Sequence, residues 1–188
     1  MDQLYNMETL YLWPILVVLF VLIYFVGRKA SPESGLLVEG GKYSRPLMAL
    51  EKEPTAKEQL FKSWDEDTRR QLRSALRWDF LFILIYPTAG VLGCFIAGRF
   101  LDTAGVLSFR ISFVIILLQL AAGLFDVIEN LIMLSVIDGL TSNVWLTIAR
   151  ISTVGKFGLI ALGMFHAIFG LLAWLCMRWL SPSTTLSP

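Results

Sequence analysis

A chain of 188 residues with 56% hydrophobic and only 16% charged side chains, and a mean hydropathy of +0.66, carries more apolar surface than a water-soluble fold of this size can hide. The formal net charge of +1 conceals an uneven distribution: 11 of the 16 Lys and Arg lie between Arg28 and Arg77, among eight acids, a mixture that argues against nucleic-acid binding. Cys94 and Cys176 sit singly in apolar runs, so neither a disulfide framework nor a metal-ligand cluster is expected.

The first apolar run, residues 9–26, contains no charge and is long enough to cross about 30 Å of hydrocarbon as a helix. Pro14 is expected near its first turn, where a missing N–H costs little. Asp2 and Glu8 stand where a signal peptide would be basic, and no small-residue cleavage site follows. The run therefore reads as a span and not as a cleavable signal.

Residues 28–78 form the one sizeable polar segment. Its first half, with Pro32, Gly35, Gly40, Gly41, Pro46 and Pro54, reads as irregular loop. Two capping-box patterns follow, Thr55 with Glu58 and Ser63 with Glu66, and mark helix starts. From there Leu60, Trp64, Leu72 and Leu76 fall on one face, which predicts an amphipathic helix lying on the membrane before the second span.

That second span covers residues 80–98 and holds Pro87, Gly90, Gly93 and Gly98. The third covers 111–137. The fourth, 144–179, is less tidy, because Arg150 and Lys156 fall in its first dozen residues. The expected fold is all-α: one membrane domain over residues 1–188, a bundle of four transmembrane helices with a cytoplasmic amphipathic helix preceding the second. The Lys and Arg of the 28–78 loop place that loop in the cytoplasm and both termini on the opposite side.

Run three carries Gln119, Gly123, Asp126 and Asn130 on one face, with Glu129 at its edge. Two carboxylates facing lipid would each cost about 2.5–3.5 kcal/mol on the insertion scale, so this stripe must turn inward. With the assigned topology, Asp79 and Tyr86 of run two and Arg150 and Lys156 of run four lie at similar depth, and His166 borders the polar stripe of run four. Two uses fit such a cluster. Acid–lysine pairs, amides and glycines can hold helices together, or the same acids can serve as a proton or substrate site. His166, the single histidine, lacks further ligands for zinc or haem. Arg69, Arg70, Arg73 and Arg77 line one side of a helix near the headgroups, as topology determinants with snorkelling side chains or as contacts for lipid phosphate.

These residues favour a non-catalytic membrane protein, an accessory or assembly subunit or a binder of lipid or a partner. The alternatives are a proton-coupled transporter using Asp126, Glu129 and Lys156, or an enzyme acting on a lipid at the inner leaflet, for which no catalytic motif is present. No cofactor is implied. Membrane lipids, further copies of the chain or a larger membrane complex are the expected partners.

Overall fold

The computed structural model describes residues 2–30, 36–38, 41–43, 64–140 and 142–180. Among the described residues there are four helices: α1 (Asp2–Ala30), α2 (Glu66–Thr103), α3 (Phe109–Ile137) and α4 (Asn143–Leu180). Between α1 and α2 lies a short antiparallel hairpin of β1 (Leu36–Val38) and β2 (Gly41–Tyr43), with Leu36 opposite Tyr43. All four helices are long and apolar enough to cross a membrane. Their outer faces carry large apolar side chains, such as Phe165 at 73% and Leu124 at 65% exposure. An outward apolar surface of this extent points to a membrane-embedded protein.

Each run expected to span lies within a longer helix. Pro14 stands inside α1 and not at its first turn, because the helix begins already at Asp2. The hairpin corrects the reading of residues 28–54 as irregular throughout: Gly41, taken as part of a breaker, opens β2 opposite Val38. Helix α2 starts two residues later than the Ser63 pattern implies, since Asp65 is the N-cap and its Oδ1 accepts the Thr68 N–H at 2.8 Å. Hydrogen bonds from Thr68 hold the Asp65 carboxyl below its usual range. The Thr55 pattern and Leu60 lie outside the described residues.

The amphipathic stretch does not lie apart on a membrane surface among the described residues. Helix α2 runs on without interruption, and Trp64, Leu72 and Leu76 are buried against Ile132, Met133, Val136 and Ile137 of α3 and Leu146 and Ala149 of α4. A straight helix carries its 3.6-period face over the ends of its neighbours, so the apolar stripe is spent on packing.

Helices α2, α3 and α4 pack against one another, and α1 lies along α2. The turns between them are closed by residues with special backbone needs. Gly105 (φ 66°) and Gly139 (φ 87°) adopt the left-handed conformation just beyond the ends of α2 and α3. Asp102 Oδ1 accepts the Phe109 N–H at 3.1 Å, fastening α2 to the start of α3. Close helix contact comes from small residues meeting bulk: a Cβ at Gly123 would stand 2.9 Å from Pro87 Cγ, and one at Gly98 would stand 2.7 Å from Ser112 Oγ.

Candidate functional site

Helix α3 turns its polar stripe into the bundle. Gln119, Asp126, Glu129 and Asn130 are all buried, because α2 covers one side of the stripe and α4 the other. Lys156 of α4 meets both acids, with Nζ 2.5 Å from Asp126 Oδ1 and 2.7 Å from Glu129 Oε2. Glu129 Oε2 is fully buried, with the Lys156 ammonium as its ionic partner. Lys156 also lies 5.3 Å from the centroid of the Phe157 ring, a contact that favours a cation.

Three further contacts tie the stripe to its neighbours. Asn130 Nδ2 donates to Asp79 Oδ2 of α2 at 2.7 Å. The Tyr86 hydroxyl donates to the Ala122 carbonyl at 3.2 Å and lies beside the Asp126 carboxylate. Gln119 Nε2 donates to the Leu159 carbonyl of α4 at 2.8 Å. Gln119 is accommodated by Gly163, where a Cβ would overlap the amide, and by Gly90, where a Cβ would stand 3.1 Å from Oε1.

These groups are not sealed in the core. A cavity of about 780 Å³, half-open, is bounded by α1, α2 and α4 and floored by the α3 stripe. Its polar groups are Asp79, Tyr86, Gln119, Asp126, Glu129, Asn130 and Lys156. Its remaining walls are apolar, from Trp13 and Phe20 of α1 to Phe157, Met164 and Ile168 of α4. Met164 (59%) and Ile168 (52%) are both lining and outward-facing, so the mouth lies on the side where α1 and α4 flank the gap. Along α4, the lining from Phe157 to Leu171 spans about 20 Å at 1.5 Å per residue.

Seven of the nine residues expected in the cluster thus come together: Asp79, Tyr86, Gln119, Asp126, Glu129, Asn130 and Lys156. Arg150 does not join them. Six residues before Lys156, it is rotated about 240° around α4, lines no part of the cavity and makes no ion pair among the described residues. His166 is also apart, ten residues along α4 from Lys156; it is buried with Nε2 unpartnered, and a hydrogen bond links it to the backbone of Cys94.

The four arginines do not act as one surface. Arg69 reaches the end of α3, where Nη1 donates to the Ile137 carbonyl at 2.8 Å, and Arg73 Nη2 lies 2.7 Å from Asp138 Oδ1. Arg70 and Arg77 face outward, and Arg70 pairs with Asp67 at 3.5 Å. What composition did not reveal is the apolar wall from α1, since Trp13 and Phe20 carry no signal that separates a cavity from lipid. Among the described residues, no group of three His, Cys, Asp or Glu is placed to hold a metal ion.

Comparison of the chain with protein-family models, with curated proteins and with solved structures gives no match in any of the three.

Proposed function

We propose that this chain is a small multi-pass integral membrane protein that binds a lipid in its half-open cavity and performs no chemistry on it. The observation that carries the reading is the cavity itself: about 780 Å³, apolar over most of its wall, with a buried ionic cluster at one end. A volume in this range suits one amphiphile, and a mouth between apolar helix faces admits it from the bilayer. The polar contacts support a holding role. Lys156 ties α4 to two acids of α3, Asn130 ties α3 to α2, and Gln119 ties α3 to α4. Nothing in this arrangement resembles a nucleophile with an orienting base. The Lys and Arg of residues 28–78 support a cytoplasmic loop with both termini across the membrane.

The test is lipid retention. Protein extracted into lipid nanodiscs and analysed by native mass spectrometry is expected to carry a lipid at fixed stoichiometry. Gly93 lines the cavity and a Cβ there meets nothing within 4 Å, so a side chain can be introduced at this wall, and Gly93→Phe is the variant chosen to occupy the space. That variant is expected to fold and to lose the lipid. Retention of the same lipid by Gly93→Phe would defeat the reading.

A second reading, proton-coupled transport, draws on one specific feature. Two carboxylates, Asp126 and Glu129, face one ammonium at the end of a cavity that reaches the protein's outer face. An excess acid in such a place is where a carried proton would bind. Flux driven by a pH gradient in proteoliposomes would favour it.

A further inference from the structure

Resting on the lipid-binding reading, we infer that the occupant is a single-tailed lipid whose tail crosses the bilayer midplane. The cavity is a trough as long as a bilayer is thick. Its lining on α2 runs from Asp79 to Phe100, about 30 Å at 1.5 Å per residue, which matches the hydrocarbon core of a bilayer. Charged residues bracket that stretch, with Arg77 just before Asp79 and Asp102 just after Phe100.

Polarity is confined to part of this length. Asp79 and Tyr86 of α2 stand with Asp126, Glu129 and Lys156, and Gln119 follows at the level of Gly90. From Gly93 and Met164 onward the lining of α2 and α4 is apolar, as far as Phe100 and Leu171. The carboxylates accept hydrogen bonds, while the Lys156 ammonium and the Asn130 and Gln119 amides carry N–H groups beyond those bonded to the protein. A small head that both donates and accepts suits this mixture, and charge does not select it. Among the described lining residues, no ionisable or amide group lies beyond Gln119 to take the head further. The head stays, and only the tail crosses. From Lys156 to Leu171 that tail runs about 20 Å along α4, more than the roughly 15 Å of one leaflet's hydrocarbon.

The width sets the number of chains. Divided over the length on α2, about 780 Å³ gives a mean section of about 25 Å². One hydrocarbon chain fits such a section, with its carbons about 4 Å from the walls. Two chains side by side do not fit, nor does a transmembrane helix about 10 Å across. On entering the trough an alkyl chain exchanges one apolar surrounding for another, so selection rests on fit. A tail that stops at the midplane leaves the far walls without partner atoms, and a tail that reaches Phe100 and Leu171 supplies them.

The experiment uses the full-length protein in phosphatidylcholine nanodiscs and probes with one hydroxyl head: decanol, tetradecanol, octadecanol and tetracosanol, with dioleoylglycerol as the two-chain case. Competition against radiolabelled octadecanol, at equal mole fraction in the bilayer, reads affinity. Octadecanol and tetracosanol are expected to bind at least about tenfold tighter than decanol, and dioleoylglycerol more weakly than octadecanol. Octadecanol carrying a diazirine on its last carbon then locates the tail. On illumination it is expected to label α2 near Phe100 or α4 near Leu171, and Gly93→Phe is expected to abolish both binding and labelling. If decanol or dioleoylglycerol binds as tightly as octadecanol, or the label falls only around Tyr86 and Phe157, while Gly93→Phe still removes binding, the midplane-crossing tail is overturned and the cavity remains a lipid site. If no probe binds, or Gly93→Phe binds octadecanol unchanged, the lipid-binding reading falls with it. The chain-length series and the labelling map on the wild type decide the matter even where Gly93→Phe does not fold.

Discussion

Arg69 of α2 donates from Nη1 to the carbonyl of Ile137, the last residue of α3, at 2.8 Å, and from Nε to the Trp64 carbonyl at 3.3 Å. A guanidinium thereby sits on the negative end of the α3 dipole, satisfying a carbonyl that has no partner within its own helix. Arg70, the next residue, faces outward with Asp67. Charged hydrogen bonds of this kind are worth about 1.5–3 kcal/mol, whereas exposed ion pairs give about 0–1 kcal/mol. Arg69→Met is therefore expected to destabilise the bundle by about 1–3 kcal/mol, with Arg70→Met changing it by less than about 0.5 kcal/mol. Unfolding in mixed detergent micelles measures both. Equal effects would show that the Arg69 contact contributes nothing specific.

The buried trio gives a larger effect. Lys156→Met leaves Asp126 and Glu129 facing each other without a cation, at a cost of about 3–5 kcal/mol. Adding Asp126→Asn and Glu129→Gln to that variant removes the stranded charges and is expected to recover part of the loss. Additivity of the lysine and acid changes in thermal stability would refute the coupling.

Glycine positions separate packing from space. At Gly170 a Cβ would stand 2.6 Å from the Ala97 Cα, so Gly170→Ala must push α2 and α4 apart. The expected cost is about 1–3 kcal/mol. Gly93→Ala and Gly158→Ala meet nothing within 4 Å and replace a poor helix former by the best one. They are expected to be neutral or stabilising by up to about 1 kcal/mol. Melting temperatures of the three variants at equal detergent concentration check the order.

The contrast among these residues shows what could be read in the chain beforehand. Charges are expensive in apolar surroundings, so the α3 stripe had to face inward, and helical spacing alone names Gln119, Asp126, Glu129 and Asn130. Register along antiparallel helices then brings Lys156 and Asp79 level with them. Apolar faces carry no such signal. Trp13, Phe20 and Met164 look the same whether they touch lipid or a cavity, and only the placement of α1 along α2, away from α4, opens the space. Neighbouring arginines are likewise indistinguishable by composition. A rotation of 100° takes Arg69 onto the end of α3 and Arg70 to the outside. His166 fell at the border of its stripe on a helical wheel. A wheel ignores distance along the axis, and ten residues are about 15 Å.

The acids also separate a holding role from proton chemistry. Glu129→Gln and Asp126→Asn each keep size and hydrogen-bonding capacity, and each leaves one carboxylate opposite Lys156. A bundle held by the trio should accept either single change, with stability altered by about 1 kcal/mol or less, because the ammonium keeps a partner. Making both changes together strands Lys156 and should be far more costly than their sum. Asn130→Leu is the complementary case, since it deletes the bond to Asp79 and leaves every ionisable group of α3 in place. It is expected to lower stability by about 1–3 kcal/mol, the cost of leaving a part-buried carboxylate oxygen without its donor. Proton-coupled transport requires a different pattern. An amide neither takes up nor releases a proton near neutral pH, so at least one single amide variant would be folded and stable yet unable to carry a pH-driven flux. Proteoliposomes containing matched amounts of wild type, Glu129→Gln and Asp126→Asn, assayed under an imposed pH gradient, distinguish the two. The holding role predicts no pH-driven flux in any of them, with lipid still retained by the single variants. A wild-type flux abolished in a well-folded amide variant would make the α3 acids a working proton site and replace the lipid-binding proposal.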